Sequence, residues 1–108
     1  MNNQFSYYAI PNYTYTYGVI NYAKGEVIAI ASNIASYALR VMLRRFYHEL
    51  REAQAGGYNC RVALFSCCTE QVLMEEEYQV PTYVLDSGFK TEKQYWDMWA
   101  KFYDELEG

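Results

Sequence analysis

The sequence predicts an α+β domain, an antiparallel sheet of four or five strands in ββαββα order with two helices packed on one face. Three observations carry that expectation. Residues 13–31 alternate in side-chain character around a short glycine turn, residues 33–54 repeat apolar side chains at helical spacing, and the strand–strand–helix succession then recurs from residue 59 onward. At 108 residues the chain has the length of one domain, enough to bury a core without metal or disulfide staples.

Residues 1–12 read as a loose lead-in ending at Pro11-Asn12. From Tyr13 to Tyr22 the chain alternates, with Tyr13, Tyr15 and Tyr17 on one side and Thr14 and Thr16 on the other, as a strand of aromatic and β-branched residues does. Ala23-Lys24-Gly25 makes a turn and Glu26 to Ala31 returns as the second strand. Ser32 or Asn33 is placed to cap a helix running to about Gln54, which Gly56-Gly57 ends. With Leu39 at the centre of its apolar stripe, Ala35, Met42, Leu43, Phe46, Leu50 and Ala53 lie within about a quarter turn. Asn59 to Ser66 reads as a third strand and Val72 to Val80 as a fourth. Pro81 interrupts the latter, because proline cannot donate to a ladder, and Tyr83-Val84-Leu85 continues it or forms a short fifth strand. Thr91 and Gln94 fit a capping box opening a last helix with Tyr95, Trp99, Phe102 and Leu106 on one face and Trp96 and Tyr103 at its edge.

Composition narrows the function. Aromatic residues make up 19% of the chain and 13 of them are tyrosine, more than so small a core needs, so some are expected at the surface, where tyrosine suits interfaces. The net charge of −4 argues against binding nucleic acid by bulk electrostatics, yet the charges are segregated. Arg40, Arg44, Arg45 and Arg51 fall on the long helix, Glu75, Glu76 and Glu77 on one strand, and Asp104, Glu105 and Glu107 at the C-terminus. Three cysteines form no closed disulfide framework, and no stretch matches a membrane span or a signal peptide. A reduced, cytoplasmic protein with no membrane partner is expected.

Catalytic constellations are missing from the pattern. His48 is the only histidine and falls on the polar side of the long helix. A Cys/His hydrolase or redox protein would have to recruit Cys60, Cys67 or Cys68 across the fold, and that is the least supported reading. One vicinal cysteine pair, one distant cysteine and one histidine do not match the paired spacing of structural zinc. Gly56-Gly57 matches no phosphate-binding loop. No cofactor and no metal are expected.

The reading that absorbs these features is a small non-catalytic module that binds another protein through aromatic and acidic patches, with Tyr13, Tyr15, Tyr17, Glu75, Glu76, Glu77 and Trp96 as contact residues. In size and general character the chain is similar to the small accessory proteins of phages and mobile elements, such as anti-CRISPR inhibitors. That resemblance rests on no motif. It implies inhibition of a host defence nuclease, a nucleic-acid-processing complex whose basic channel the acidic runs would meet. Two alternatives stand beside it. Tyr37, Arg40, Arg44 and Arg51 share one side of the long helix, a pattern that contacts anions or nucleic acid, and the open sheet face, expected to be lined by tyrosine and threonine, offers a surface for homodimerisation.

Overall fold

The structure, a computed structural model, describes residues 15–107; the lead-in and Tyr13 lie outside them. Strands β1 (Tyr15–Asn21), β2 (Glu26–Ser32), β3 (Cys60–Ser66) and β4 (Gln71–Tyr78) form one four-stranded antiparallel sheet in the order β2-β1-β3-β4. Helix α1 (Ala35–Gly56) follows the first hairpin, and α2 (Thr82–Asp86) and α3 (Glu92–Glu107) follow the second. The class, the antiparallel pairing and the ββαββα succession are those the sequence predicts, with a third, short helix added.

The first hairpin forms where the residues require it. Gly25 closes the turn at φ 67°, its N–H donating to the Asn21 carbonyl at 2.8 Å, and the Asn21 side-chain oxygen accepts from the N–H groups of Ala23 and Lys24. Apolar side chains from β1, β2 and β3 that share one side of the sheet (Val19, Ile28, Ile30, Val62, Leu64) meet Met42, Phe46 and Ala53 of α1. That single cluster is the core. Each of its larger side chains, fully buried, contributes about 1.5–3 kcal/mol.

Helix α1 touches all four strands, whereas α3 meets the end of α1. The expected covering of one face by two helices is therefore carried by α1, and α3 stands beyond it. Its first turn is anchored: Tyr78 Oη donates to Glu92 at 2.6 Å, Gln54 donates to the same carboxylate, and the 88–91 loop packs on Gly57. Gly57 is the αL cap of α1 at φ 74°, and a Cβ there would lie 2.2 Å from the Lys90 carbonyl oxygen. From there onward α3 buries no residue.

Three local expectations change. Helix α1 begins at Ala35 behind Ile34, without a side-chain cap, and Ser32 Oγ accepts from the Ile34 N–H in the preceding turn. Its buried line runs through Ala38, Met42, Phe46, Glu49 and Ala53, rotated from the expected stripe, so Leu39, Leu43 and Leu50 are only half-buried. Tyr83-Val84-Leu85 is helical in α2, with Pro81 at its start and Val84 fully buried: burial of one valine overrides the strand propensity of the triplet. The capping box holds as expected, Gln94 N–H donating to Thr91 Oγ1 at 3.1 Å and Thr91 N–H to Gln94 Oε1 at 3.3 Å.

On the sheet face away from α1, Gly18 pairs with Phe65, whose ring lies over it; a Cβ at Gly18 would sit 2.5 Å from Phe65 Cζ. Gly18→Val is expected to cost about 1–3 kcal/mol by overpacking, and Phe65→Leu in the same chain to recover most of that loss, both read by urea unfolding.

Candidate functional site

The sheet places the tyrosines of β1 on the covered side. Tyr17 packs against the core cluster and Tyr15 is half-exposed at the strand's start. This corrects the expected tyrosine-lined open face: side chains alternate by two, and because Val19 and Asn21 point to α1, Tyr15 and Tyr17 do too. The open face carries Thr16, Ile20, Ala63, Phe65 and Val72, with Tyr22 at its end. A shallow apolar depression of about 390 Å³ lies among Ile20, Tyr22, Ala63, Phe65, Cys67 and Val72.

The acidic run sits on β4, an edge strand. Glu75 pairs with Arg61, whose guanidinium also lies 4.0 Å from the centre of the Tyr22 ring. Glu77 accepts from Gln79, and all three glutamates are exposed. Glu75 and Glu77 lie opposite Ala63 and Arg61 on the open side, and Glu76, opposite Val62, on the other. A bulge after Leu64 completes a well-guarded edge.

Among the described residues, a large exposed apolar surface belongs to α3. Tyr95 meets Tyr83 of α2 edge-on at 4.9 Å between ring centres, Phe89 closes on Tyr95 at 6.4 Å, and Trp99 stacks its edge on Phe102 at 5.6 Å. Beyond that cluster the same stripe opens to solvent: Trp96 is 55% exposed, Tyr103 60% and Leu106 67%. The helix ends on Asp104, Glu105 and Glu107, with no basic residue in the last turn. Carboxylates there oppose the negative end of the helix dipole.

Between α1 and the first hairpin lies a polar cluster that the sequence did not disclose. Glu49 is 1% exposed. Its carboxylate accepts from Asn21 Nδ2 at 2.7 Å and from Arg45 Nε at 2.8 Å, and Lys24 Nζ lies 3.4 Å away. Lys24 also reaches Glu52 at 3.1 Å, and His48 Nε2 lies 3.1 Å from the other Glu52 oxygen. Burial pushes the Glu49 carboxyl up, but the Asn21 amide and the Lys24 and Arg45 cations outweigh it and hold it below the ordinary range. Lys24, bonded chiefly to Glu52, is raised above its ordinary value. His48, Glu49 and Glu52 have a metal-like spacing, but the Lys24 ammonium already serves the two carboxylates as their cation. Cys60 donates to Asn21 Oδ1 at 3.3 Å, and burial and the Glu49 charge push its thiol up, which opposes formation of a nucleophilic thiolate. Cys67 and Cys68 lie in the exposed turn between β3 and β4, on a different element from His48.

The arginines of α1 separate into two sets. Arg45 leans over the hairpin to Glu49 and Glu26. Arg40, Arg44 and Arg51 are exposed and have no carboxylate partner among the described residues. At 3.6 residues per turn they fall within about 40° of one another and roughly opposite the buried line. Exposed Tyr37 and Tyr47 flank them, and a groove of about 530 Å³ runs beside them over Ile28, Val41 and Met42, rimmed by Arg44, His48 and Arg51.

Among the described residues no helix is long and apolar enough to cross a membrane. Removing the Glu49 carboxylate by Glu49→Ala is expected to cost about 3 kcal/mol, the low end for breaking a buried pair because Lys24 and Arg45 can turn to water. Since Glu49 is held below its ordinary value of 4.5, its contribution is complete above that pH and is lost as pH falls through the lower folded value. Urea unfolding across acidic pH should therefore show a decline that Glu49→Gln flattens.

Comparison of the chain with protein-family models, with curated proteins and with solved structures finds no match, so the chemistry of these surfaces alone bears on function.

Proposed function

We propose that the chain is a non-catalytic protein-binding module whose docking element is α3. The observation that carries this reading is the aromatic stripe of α3, continuous from Tyr95 to Leu106 and open beyond Trp99. Helices that bury such a stripe lay it in an apolar groove of a partner. Covering Trp96, Phe102, Tyr103 and Leu106 would release about 1.5–3 kcal/mol per fully buried side chain, before the costs of association.

Charge narrows the partner. The three carboxylates of the last turn are unfavourable where they stand, and cations on the rim of a partner's groove would relieve them. The fitting surface is thus an apolar cleft edged by Lys and Arg. The basic channel of a nucleic-acid-processing enzyme is one surface of this kind, and occupying the channel of a host defence nuclease, as small phage or mobile-element inhibitors do, is the form of the proposal. The exposed Glu75–Glu77 edge adds a second acidic patch, and Trp96 is the aromatic anchor nearest the anchored end of α3. The raised Cys60 thiol supports a role without thiolate catalysis there.

The test compares the wild-type chain with Phe102→Ser/Leu106→Ser as bait in its native host extract, with urea unfolding of both in parallel. The expected result is that a partner held by the wild type is lost by the variant while stability stays within about 0.5 kcal/mol, as for surface substitutions. Undiminished capture, or a variant that unfolds because the stripe is internal packing, would count against the reading.

A further inference from the structure

We infer that the outward side of α1 is a binding site for the phosphate backbone of single-stranded nucleic acid, a surface that adjoins α3 only at its Arg51 end, where Arg51 and Trp96 line one depression. Three guanidiniums, Arg40, Arg44 and Arg51, stand on that side without a carboxylate partner among the described residues. This is unusual in a chain with a net charge of −4, where every exposed cation has acids to choose from. Elsewhere the protein does pair its cations: Lys24, Arg45, Arg61 and Lys93 each hold a carboxylate. Among the described residues Lys90 and Lys101 also make no ion pair, but only on α1 do three such cations share one line.

The line has the make-up of a strand-tracking surface. Successive turns of α1 present Tyr37, Arg40, Arg44, Tyr47 and Arg51, and Arg40 and Arg44 are separated along the axis by about 6 Å, comparable to the distance between neighbouring phosphates of one strand. Guanidinium binds phosphate by paired N–H donors. Tyr37 and Tyr47, each nearly half exposed, offer π-faces on which unpaired bases stack, which duplex bases cannot do. The groove over Ile28, Val41 and Met42 supplies an apolar wall along the same side. The two carboxylates of α1 itself, Glu49 and Glu52, are held by Lys24, Arg45 and His48, the acidic runs lie on the β4 edge and at the end of α3, and screening over about 10 Å at ordinary salt confines their influence.

The experiment is fluorescence anisotropy of the full chain with labelled oligothymidylate and with a duplex of equal length, at about 50 and 200 mM salt. Oligothymidylate is expected to bind at the lower salt and to weaken at the higher, with the duplex weaker than the single strand. Arg44→Gln/Arg51→Gln should lower affinity at least tenfold and reduce the slope of log affinity against log salt by about 1.4, two contacts at about 0.7 each. Tyr37→Leu should lower affinity without changing the slope, and Lys101→Gln on α3 should change neither. Absence of binding at the lower salt, a duplex bound as tightly as the single strand, or an arginine variant that binds like the wild type would each overturn the inference. So would an equal loss in the α3 lysine variant. Because the substituted side chains are exposed, circular dichroism melts of all variants should coincide with the wild type.

Discussion

Glu49 is held by Asn21 and Lys24 against the turn of the first hairpin, with Arg45 of its own helix completing the set, and α1 cannot rotate about its axis without breaking the bonds to Asn21 and Lys24. A buried carboxylate left without partners is far costlier than a misplaced leucine, so this cluster dictates which line of the helix faces the sheet. Ala38, Met42, Phe46 and Ala53 fall on the line with Glu49 and fill the core. Arg40, Arg44 and Arg51 fall on the opposite line, turned to solvent. The orientation of the cationic surface thus follows from a polar contact on the far side of the same helix.

Length explains why one helix suffices for the sheet. The 22 residues of α1 span about 33 Å, against about 23 Å for a seven-residue strand, so α1 alone crosses the strands with room to spare. Val84 of α2 fills the remaining corner, and the 88–91 loop seats on Gly57 where only glycine leaves space. Helix α3 is then held at its first turn, and the sheet face that α1 covers leaves it no strand to pack on. Its aromatic stripe packs partly on α2 and partly on itself, Trp99 meeting Phe102 and Tyr103. The remainder, at Trp96, Phe102, Tyr103 and Leu106, stays exposed as an apolar surface.

The charge pattern has the same logic. The cations nearest the hairpin are consumed in neutralising Glu26, Glu49 and Glu52, Arg61 is consumed by Glu75, and the outward arginines of α1 make no ion pair among the described residues. The last turn of α3 carries acids and no basic residue. Two surfaces of opposite sign remain, on different helices.

Much of this was legible in the sequence because it is written in local chemistry. Alternation around Gly25, helical periodicity ended by Gly57 and the reciprocal bonds of Thr91 and Gln94 depend on neighbours a few residues apart, and these determined the four strands, the two long helices and their order. The exposed arginines and Trp96 were legible for the same reason, as positions off the apolar stripe. What only the tertiary structure decided depends on contacts far apart in the chain. The burial of Glu49 needs Asn21, 28 residues away, and a pattern of apolar residues counts a glutamate as surface. The side of the sheet taken by Tyr15 and Tyr17 depends on which face α1 covers, which alternation alone leaves symmetric. The helical turn at Tyr83 depends on a pocket for Val84, and the bareness of α3 on α1 having already taken that sheet face: a hydrophobic stripe states that something must cover it, but not whether that something belongs to the same chain.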